Sequence, residues 1–197
     1  MTSGAVPLTR AEAPLIGDII ADAFHDDPVM VWAMGGVGAL RPINTLLAKY
    51  IYLAPGGFGH RTEGGEAGSL WMAPGEHEEP GTPAQLHIAW TLLCRGGMTG
   101  LRRGFAMGDA LGVHHPKGPH YYLFAIAVRS AHQGRGLGGR IMRAGLDRAD
   151  ADGVGAYLEN SKERNLPFYR AHGFEVTEKI TPLPGCPPLW LMWRDPR

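Results

Sequence analysis

A glycine-rich turn stands between an apolar run and a helical pattern, in the segment HQGRGLGGRIM over residues 132–142. A turn of this kind at the start of a helix presents free backbone N–H groups and the positive end of the helix dipole. Glycines also let the backbone approach a ligand closely, because they carry no Cβ atom. The residue types and their spacing therefore predict a site for an anionic group such as a phosphate.

Two kinds of phosphate-bearing ligand fit this spacing. Residues 134–139 match the G-x-G-x-x-G pattern of dinucleotide-binding folds, and Glu159 lies where such folds place a ribose-binding acid. In a doubly wound sheet, however, several strand–helix units follow this motif. Only 58 of the 197 residues follow Gly139, which is too little chain for the rest of such a sheet. We therefore do not predict a dinucleotide fold.

The second ligand is an acyl-coenzyme A. Residues 133–138 read QGRGLG, which fits Q/R-x-x-G-x-G/A, and residues 158–174 read LENSKERNLPFYRAHGF. Together these segments resemble two consecutive motifs of the GNAT N-acetyltransferases, and most of all those of puromycin N-acetyltransferase and its relatives. The resemblance implies an α/β GNAT fold, with a central mixed, mostly antiparallel sheet flanked by helices. It also implies acetyl-CoA as co-substrate.

The same resemblance implies which residues hold the cofactor. The turn amides would bind the diphosphate, and the pantetheine arm would pair with the preceding strand, where the Val128 N–H is a candidate oxyanion donor. Asn165 would bind the arm, or it is only a turn or helix-start residue. The residues expected at the cofactor are Ile126, Ala127, Val128, Gln133, Gly134, Arg135, Gly136, Leu137, Gly138, Gly139 and Asn165.

Acyl transfer to an amine needs an acid for the leaving thiolate and a base for the amine. We assign the acid to Tyr169, since a phenol with a pKa near 10 suits a thiolate and the family has a tyrosine there; the alternative is aromatic packing. Glu159 is the candidate base, with a structural ion pair as alternative. The family can carry a carboxylate base early in the cofactor strand, but this chain has Tyr122 at that place. His120, Tyr121 or an ordered water therefore stay open as alternatives for the base.

The acceptor side is expected around the exit of the first helix. Two adjacent acids, Asp26 and Asp27, would attract a cationic amine, or they belong only to the turn before Pro28. The residues expected to bind the acceptor are His25, Asp26, Asp27, Trp32 and Tyr122. Four histidines at 114, 115, 120 and 132 lack a cysteine or carboxylate at ligand spacing, so we predict no metal. Their loop rims the acceptor site or is a plain surface loop.

The elements that position these residues follow from the sequence pattern. Thr9 and Glu12 form a capping box before a helix that ends near Phe24. The expected later elements are helices over 42–53, 83–95, 99–111, 136–151 and 163–172, and strands over 68–75, 120–128, 155–160, 173–180 and 188–194, the last two antiparallel. We predict a single domain over 1–197, with 1–118 mainly on the acceptor side, 119–175 as the acyl-CoA core and 176–197 as C-terminal strands.

Composition narrows the class of partner. The 19 basic and 19 acidic residues give no net charge, which argues against a nucleic-acid or anionic-membrane surface. No run of 18 apolar residues and no signal pattern is present, and the two cysteines are far apart, so we expect a cytoplasmic protein with free thiols. We expect a small-molecule amine as partner and a monomer or homodimer. A longer acyl-CoA or aminoacyl-tRNA as donor, and a non-catalytic acyl-CoA-binding protein, remain alternatives.

Overall fold

A mixed sheet organises the molecule, which we describe from a computed structural model that covers residues 4–75 and 80–197. Its seven strands are β1 (Ala5–Pro7), β2 (Gly57–Thr62), β3 (Ala67–Met72), β4 (Tyr121–Val128), β5 (Ala156–Asn160), β6 (Glu175–Ile180) and β7 (Leu189–Arg194). Their spatial order is β1-β2-β3-β4-β5-β7-β6, and β4 with β5 is the parallel pair in a sheet whose other pairs are antiparallel. The predicted mixed, mostly antiparallel sheet is confirmed.

Helices cover both faces of this sheet. They are α1 (Ala13–Ala23), α2 (Pro28–Met34), α3 (Val37–Leu47), α4 (Thr82–His114), α5 (Leu137–Ala151) and α6 (Leu166–Ala171). On one face, α5 and α6 pack on a core that includes Trp71, Met142 and Phe174. On the other face, α1 and α2 pack with α4 on two further clusters. The sheet therefore has apolar side chains on both sides, as a central sheet between two layers requires.

The element boundaries mostly follow the sequence. The capping box forms, with the Thr9 N–H donating to Glu12 Oε2 at 2.9 Å, and the first turn over Arg10–Glu12 is 3₁₀. The expected helix over 42–53 instead begins at Val37 and ends in a π-helical turn over Ala48–Tyr52. The two helices expected over 83–111 both lie within α4, and a kink at Gly97, with a φ of 66°, separates them.

A bulge in β4 divides this strand into two halves. The register with β3 pairs Leu70 with Ala125 and Trp71 with Leu123, so Phe124 is an extra residue. Such an extra residue shifts the two-residue alternation by one position. Leu123 accordingly packs in the core under α5, whereas Ala125 packs in the core under α1.

The parallel pair separates at the same point. Pairing of β4 with β5 ends at Leu123 and Leu158, whereas β4 continues to Val128. The β5-facing edge of β4 is therefore without a strand partner from Phe124 onward. The two strands diverge there and open a gap in the sheet.

Candidate functional site

The gap between the diverging strands is the floor of a cleft of about 550 Å³. The open half of β4, from Phe124 to Val128, forms one wall, and residues 158–162 of β5 and the following turn form another. The glycine turn and α6 complete the lining. Because backbone N–H and C=O groups need partners, the open strand edge suits an extended ligand with amide groups.

The glycine turn has the geometry that its sequence predicts. Gly134 and Gly136 have φ values of 74° and 73°, in the left-handed region that favours glycine. Gly136 is the N-cap of α5 and has no side chain to satisfy the first amides. Among the hydrogen bonds of residues 4–75 and 80–197, none uses a backbone N–H of residues 134–139 as donor. The turn therefore offers a row of unused N–H donors at a helix N-terminus, which fits a diphosphate.

The side chain of Gln133 has a structural role beside this turn. Its Nε2 donates to the Val128 carbonyl at 3.1 Å, across the chain reversal between β4 and α5. Gln133 and Gly134 line the cleft together with Leu137, Gly138 and Gly139. Arg135 is exposed and is not among the cleft-lining residues. Of the residues expected at the cofactor, Arg135 alone is therefore outside the cleft wall.

Tyr169 lies on α6 and lines the cleft with 8% of its side chain exposed. Burial and, second, the nearby Asp27 carboxylate raise the pKa of its hydroxyl. The phenol therefore stays protonated at neutral pH and is available as a proton donor. Asn165 is the N-cap of α6, yet its side chain makes no capping hydrogen bond and instead lines the cleft.

Glu159 is the first residue of β5 beyond the last pair with β4, and it also lines the cleft. Its side chain is 7% exposed. Within the described residues its Oε1 atom accepts no hydrogen bond, and its ion-pair partner is His115, with Nδ1 at 3.8 Å. A buried carboxylate oxygen without a hydrogen bond is rare in a folded protein and requires an explanation.

Tyrosines surround Glu159 on the face of the sheet opposite α5. Burial and, second, the Glu159 charge raise the pKa values of Tyr52, Tyr122 and Tyr157. These phenols therefore remain neutral at physiological pH, and Tyr122 cannot replace the missing family carboxylate as a base. Tyr122 also lines a second cavity of about 510 Å³, together with Tyr52 and the loop that holds His115 and His120. Glu159 consequently lies between the cleft and this second cavity.

Comparison with known proteins identifies the family. The Acetyltransferase (GNAT) family model matches residues 70–174, which is more than half of the chain. The chain belongs to the GNAT acetyltransferase family. Members of this family transfer an acyl group from acyl-CoA to an amine. The prediction of the family from the two motifs is confirmed, whereas the likeness to puromycin N-acetyltransferase stays a prediction.

Relatives of this GNAT chain extend over most of its length. An uncharacterized N-acetyltransferase of Schizosaccharomyces pombe is 30% identical over 190 residues, covering 90% of this chain and 77% of the relative. A solved structure from Corynebacterium glutamicum, described as histone acetyltransferase HPA2 and related acetyltransferase, is 27% identical with a TM-score of 0.70. It covers 98% of this chain and 96% of its own. Mosquito arylalkylamine N-acetyltransferase like 5b shares only the fold, at 12% identity and a TM-score of 0.56, over 97% of this chain and 99% of its own.

The residues expected to bind the acceptor are not all brought together. Asp27 lines the cleft, but its Oδ1 accepts from the Val29 and Met30 amides as the N-cap of α2, and Ser161 donates to its Oδ2. Asp26 pairs with Lys162 and Arg164, which lower its pKa to about 2, Lys162 having the larger effect. Both carboxylates therefore already have cationic or hydrogen-bonding partners within the chain.

The other three acceptor candidates lie apart from one another. His25 is exposed, and its Nδ1 lies 2.8 Å from the Asp22 carbonyl. Trp32 packs under the guanidinium of Arg103, at 4.1 Å from the ring centre. Only Tyr122 lies at the second cavity. Tyr52, which lines this cavity, and Tyr157, which lies beside Glu159, were not predicted from the sequence, because they come from separate elements and share no motif.

Two findings concern absences within the described residues. No helix in this part of the chain has the length and hydropathy needed to cross a membrane. No group of three or more His, Cys, Asp and Glu side chains in residues 4–75 and 80–197 has a geometry that could hold a metal ion. Cys94 and Cys186 are both free thiols, as expected.

Proposed function

We propose that this enzyme transfers an acetyl group from acetyl-CoA to the amine of a small molecule by direct attack in a ternary complex. One observation carries the proposal. A single cleft combines an open strand edge, a helix N-terminus with unused amides, a protonated tyrosine and a buried carboxylate. Each feature serves one need of acyl transfer, and bringing the thioester carbonyl and the acceptor nitrogen together at Glu159 removes much of the entropic barrier.

Coenzyme A binding is assigned to the half of the cleft under α5 and α6. The amides of residues 134–139 would hold the diphosphate, and the open edge of β4 at Ile126, Ala127 and Val128 would pair with the pantetheine arm. Asn165 would hydrogen-bond that arm, since its side chain is not used as a cap. Arg135 and Arg140 add positive charge near the turn.

The acceptor amine is assigned to the second cavity. Aromatic and proline side chains line that cavity, and Lys117 is also among its lining residues. Its aromatic and proline walls favour a compact acceptor with apolar or aromatic groups. Tyr122 and His115 line this cavity and contact the side chain of Glu159, so the carboxylate lies next to the cavity.

The proposed chemistry uses two residues. Glu159 takes a proton from the acceptor nitrogen, which then attacks the thioester carbonyl. Tyr169 gives its proton to the departing thiolate sulfur. The neutral phenol of Tyr169 and the unpaired Oε1 of Glu159 support these roles. We place the enzyme in the cytoplasm.

Calorimetric titration with acetyl-CoA tests the donor, with NADH as the dinucleotide control. Gly136→Glu is the test variant, because it puts a negative side chain into the turn. Gly153→Glu is its matched control: both glycines have positive φ and open surroundings, but Gly153 is at the far end of α5. Binding that is lost in Gly136→Glu and retained in Gly153→Glu supports the proposal, and absence of acetyl-CoA binding to the wild type contradicts it.

A panel of acceptors then tests the activity. Thiol release from acetyl-CoA is measured with arylalkyl and alkyl primary amines, with amino acids, and with a lysine peptide. Turnover with small apolar amines supports the assignment of the second cavity, and turnover with the lysine peptide alone contradicts it. Light scattering on the same samples measures whether the enzyme is a monomer or a homodimer.

A further inference from the structure

Two histidines that hydrogen-bond to each other form a row between Glu159 and the surface. His115 Nδ1 lies 3.8 Å from Glu159 Oε1, and His115 Nε2 lies 3.0 Å from His120 Nε2. His120 Nδ1 lies 2.7 Å from the Gly118 carbonyl oxygen. His115 is the C-cap of α4, and His120 precedes β4, so the loop between these two elements sets the row.

The Gly118 carbonyl fixes the proton positions along this row. A carbonyl oxygen only accepts, so Nδ1 of His120 must carry hydrogen. Nε2 of a neutral His120 is then an acceptor, and the facing Nε2 of His115 must donate. Nδ1 of a neutral His115 therefore carries a lone pair, and this nitrogen lies 3.8 Å from Glu159 Oε1. One proton between Glu159 and His115 would complete the row.

Aromatic rings enclose the two imidazoles of the row. The rings of Tyr122 and Tyr157 meet His115 edge-on, with centroids 4.8 and 5.1 Å away, and Trp193 borders His120 at 6.2 Å. Burial and the Glu159 charge raise the tyrosine pKa values, so these rings stay neutral. Within residues 4–75 and 80–197, further charged or titratable groups near the row include Tyr52, His114, Lys117 and Glu178. Histidine is the side chain that changes charge between about pH 5 and 8.

We propose that His115 receives the acceptor's proton from Glu159 and releases it to solvent, and that His120 is a positioning residue that fixes the tautomer of His115. The inference rests on the proposed role of Glu159 as base. The acceptor N–H bond breaks as the Glu159 O–H bond forms, and that proton then moves to His115 Nδ1. The Nδ1–H bond of the resulting imidazolium then breaks and its proton passes to water in the cavity, since 33% of the His115 side chain is exposed; His115 returns to the tautomer with hydrogen on Nε2. Glu159 is thereby ionised again for the next turnover.

Nitrogen NMR of the free protein tests the row without any substrate. In ¹⁵N-histidine-labelled full-length protein near neutral pH, we expect His120 with hydrogen on Nδ1 and His115 with hydrogen on Nε2. Peaks are assigned with His115→Gln and His120→Asn variants. Hydrogen on Nε2 of neutral His120, or on Nδ1 of neutral His115, overturns the proposal.

The second test uses steady-state kinetics with the amine of the acceptor panel that is turned over fastest. His115→Gln retains a donor toward His120 but cannot take a proton, so kcat falls about 10-fold, less than the loss of a base itself. The pH dependence of kcat between about pH 5 and 8 flattens, and KM for acetyl-CoA is unchanged. His114→Gln is the matched control, because His114 is next in sequence but faces Glu178 on the surface.

The NMR and the kinetic experiments together distinguish a failure of the histidine relay from a failure of the proposed function. A wild-type pH profile and kcat in His115→Gln overturn the relay even if the enzyme is an active acetyltransferase. If no amine is acetylated, the proposed function fails, and the NMR tautomers alone then decide whether the histidine row is as described. Circular dichroism and melting temperature verify that each variant is folded.

Discussion

Removing the hydroxyl of Tyr169 tests its role in catalysis without changing how its ring packs. Tyr169→Phe keeps the ring in its core and deletes only the proposed proton donor. A positioned acid contributes about 100-fold or more to the rate, so we expect kcat to fall about 100-fold. KM for acetyl-CoA should change little, because the turn and strand edge that hold it are intact. Steady-state thiol release measures both constants.

The matched control for this variant is Tyr50→Phe. Tyr50 carries a hydroxyl 3.2 Å from His87 on the surface, away from the cleft. Its loss should leave kcat unchanged. Full activity in Tyr169→Phe would show that the leaving thiolate needs no protein acid, and it would favour water in that role.

At the residue scale, functional residues can be predicted from the sequence where they lie together in a short motif. Gly134, Gly136 and Tyr169 belong to short motifs, and the structure brings them to one cleft, whereas their roles stay predictions. Tyr52 could not be assigned in the same way, and His115 was predicted only as part of a loop that rims the acceptor site or is a plain surface loop. They meet near Glu159 only because a helix end, a π-helical turn and two strands converge there, and no local spacing encodes that convergence.

At the scale of elements, the contact between α5 and the sheet depends on one missing side chain. A Cβ atom at Gly145 would overlap the Trp71 ring, which is fully buried. Gly145→Ala should therefore destabilise the protein by about 1–3 kcal/mol through overpacking, although alanine favours helix. Urea unfolding followed by circular dichroism measures the change.

A glycine-to-alanine substitution should have the opposite effect on the free energy of unfolding at another helical position. Gly108 lies in α4 with open space around it, so Gly108→Ala should stabilise the protein by about 1 kcal/mol or less. Equal effects of the two substitutions would contradict the close approach of α5 to Trp71.

A buried ion pair joins α5 to β7. The guanidinium of Arg194 is 4% exposed and makes two hydrogen bonds to Asp150, at 2.8 and 2.7 Å. Asp150→Ala leaves a buried charge without its partner, so we expect a loss of about 3–5 kcal/mol in the free energy of unfolding. Arg194 lowers the Asp150 pKa. The pair therefore stabilises the folded state above the ordinary aspartate pKa, and this contribution disappears as pH falls through the lowered value.

Asp18→Ala serves as the exposed counterpart. Asp18 pairs with Arg41 on the surface, where both side chains are more than a third exposed. Its loss should cost less than about 1 kcal/mol. A loss in Asp150→Ala as small as that in Asp18→Ala would mean that water reaches Arg194.

Elements with a strong local pattern agree with the sequence, and those shaped by their neighbours do not. The apolar strand β4 and the amphipathic helix α5 lie within a residue of their predicted starts. The sequence analysis missed β2, because the glycines of GFGHRT lower its strand propensity. This segment is a strand because it pairs with β1 and β3 on its two sides. The bulge at Phe124 likewise depends on pairing with β3 and leaves no sequence signal.

At the scale of the whole molecule, the open edge of β4 couples ligand binding to global stability. The half of β4 beyond Leu123 lacks a strand partner on the β5 side, so a ligand that pairs with it adds contacts found only in the folded state. At 100 times its dissociation constant, such a ligand stabilises the fold by about 2.7 kcal/mol. For a chain of this size that amounts to a rise in melting temperature of about 5–10 °C.

Differential scanning calorimetry with and without acetyl-CoA measures this shift, and hydrogen exchange locates it. We expect slower exchange at residues 124–128 and 134–139, because the ligand would occupy the strand edge and the turn amides. Gly136→Glu should abolish both effects, whereas Gly153→Glu should retain them, since both variants introduce the same side chain at a positive φ. Protection confined to the second cavity would instead mean that the donor enters from the acceptor side of the sheet.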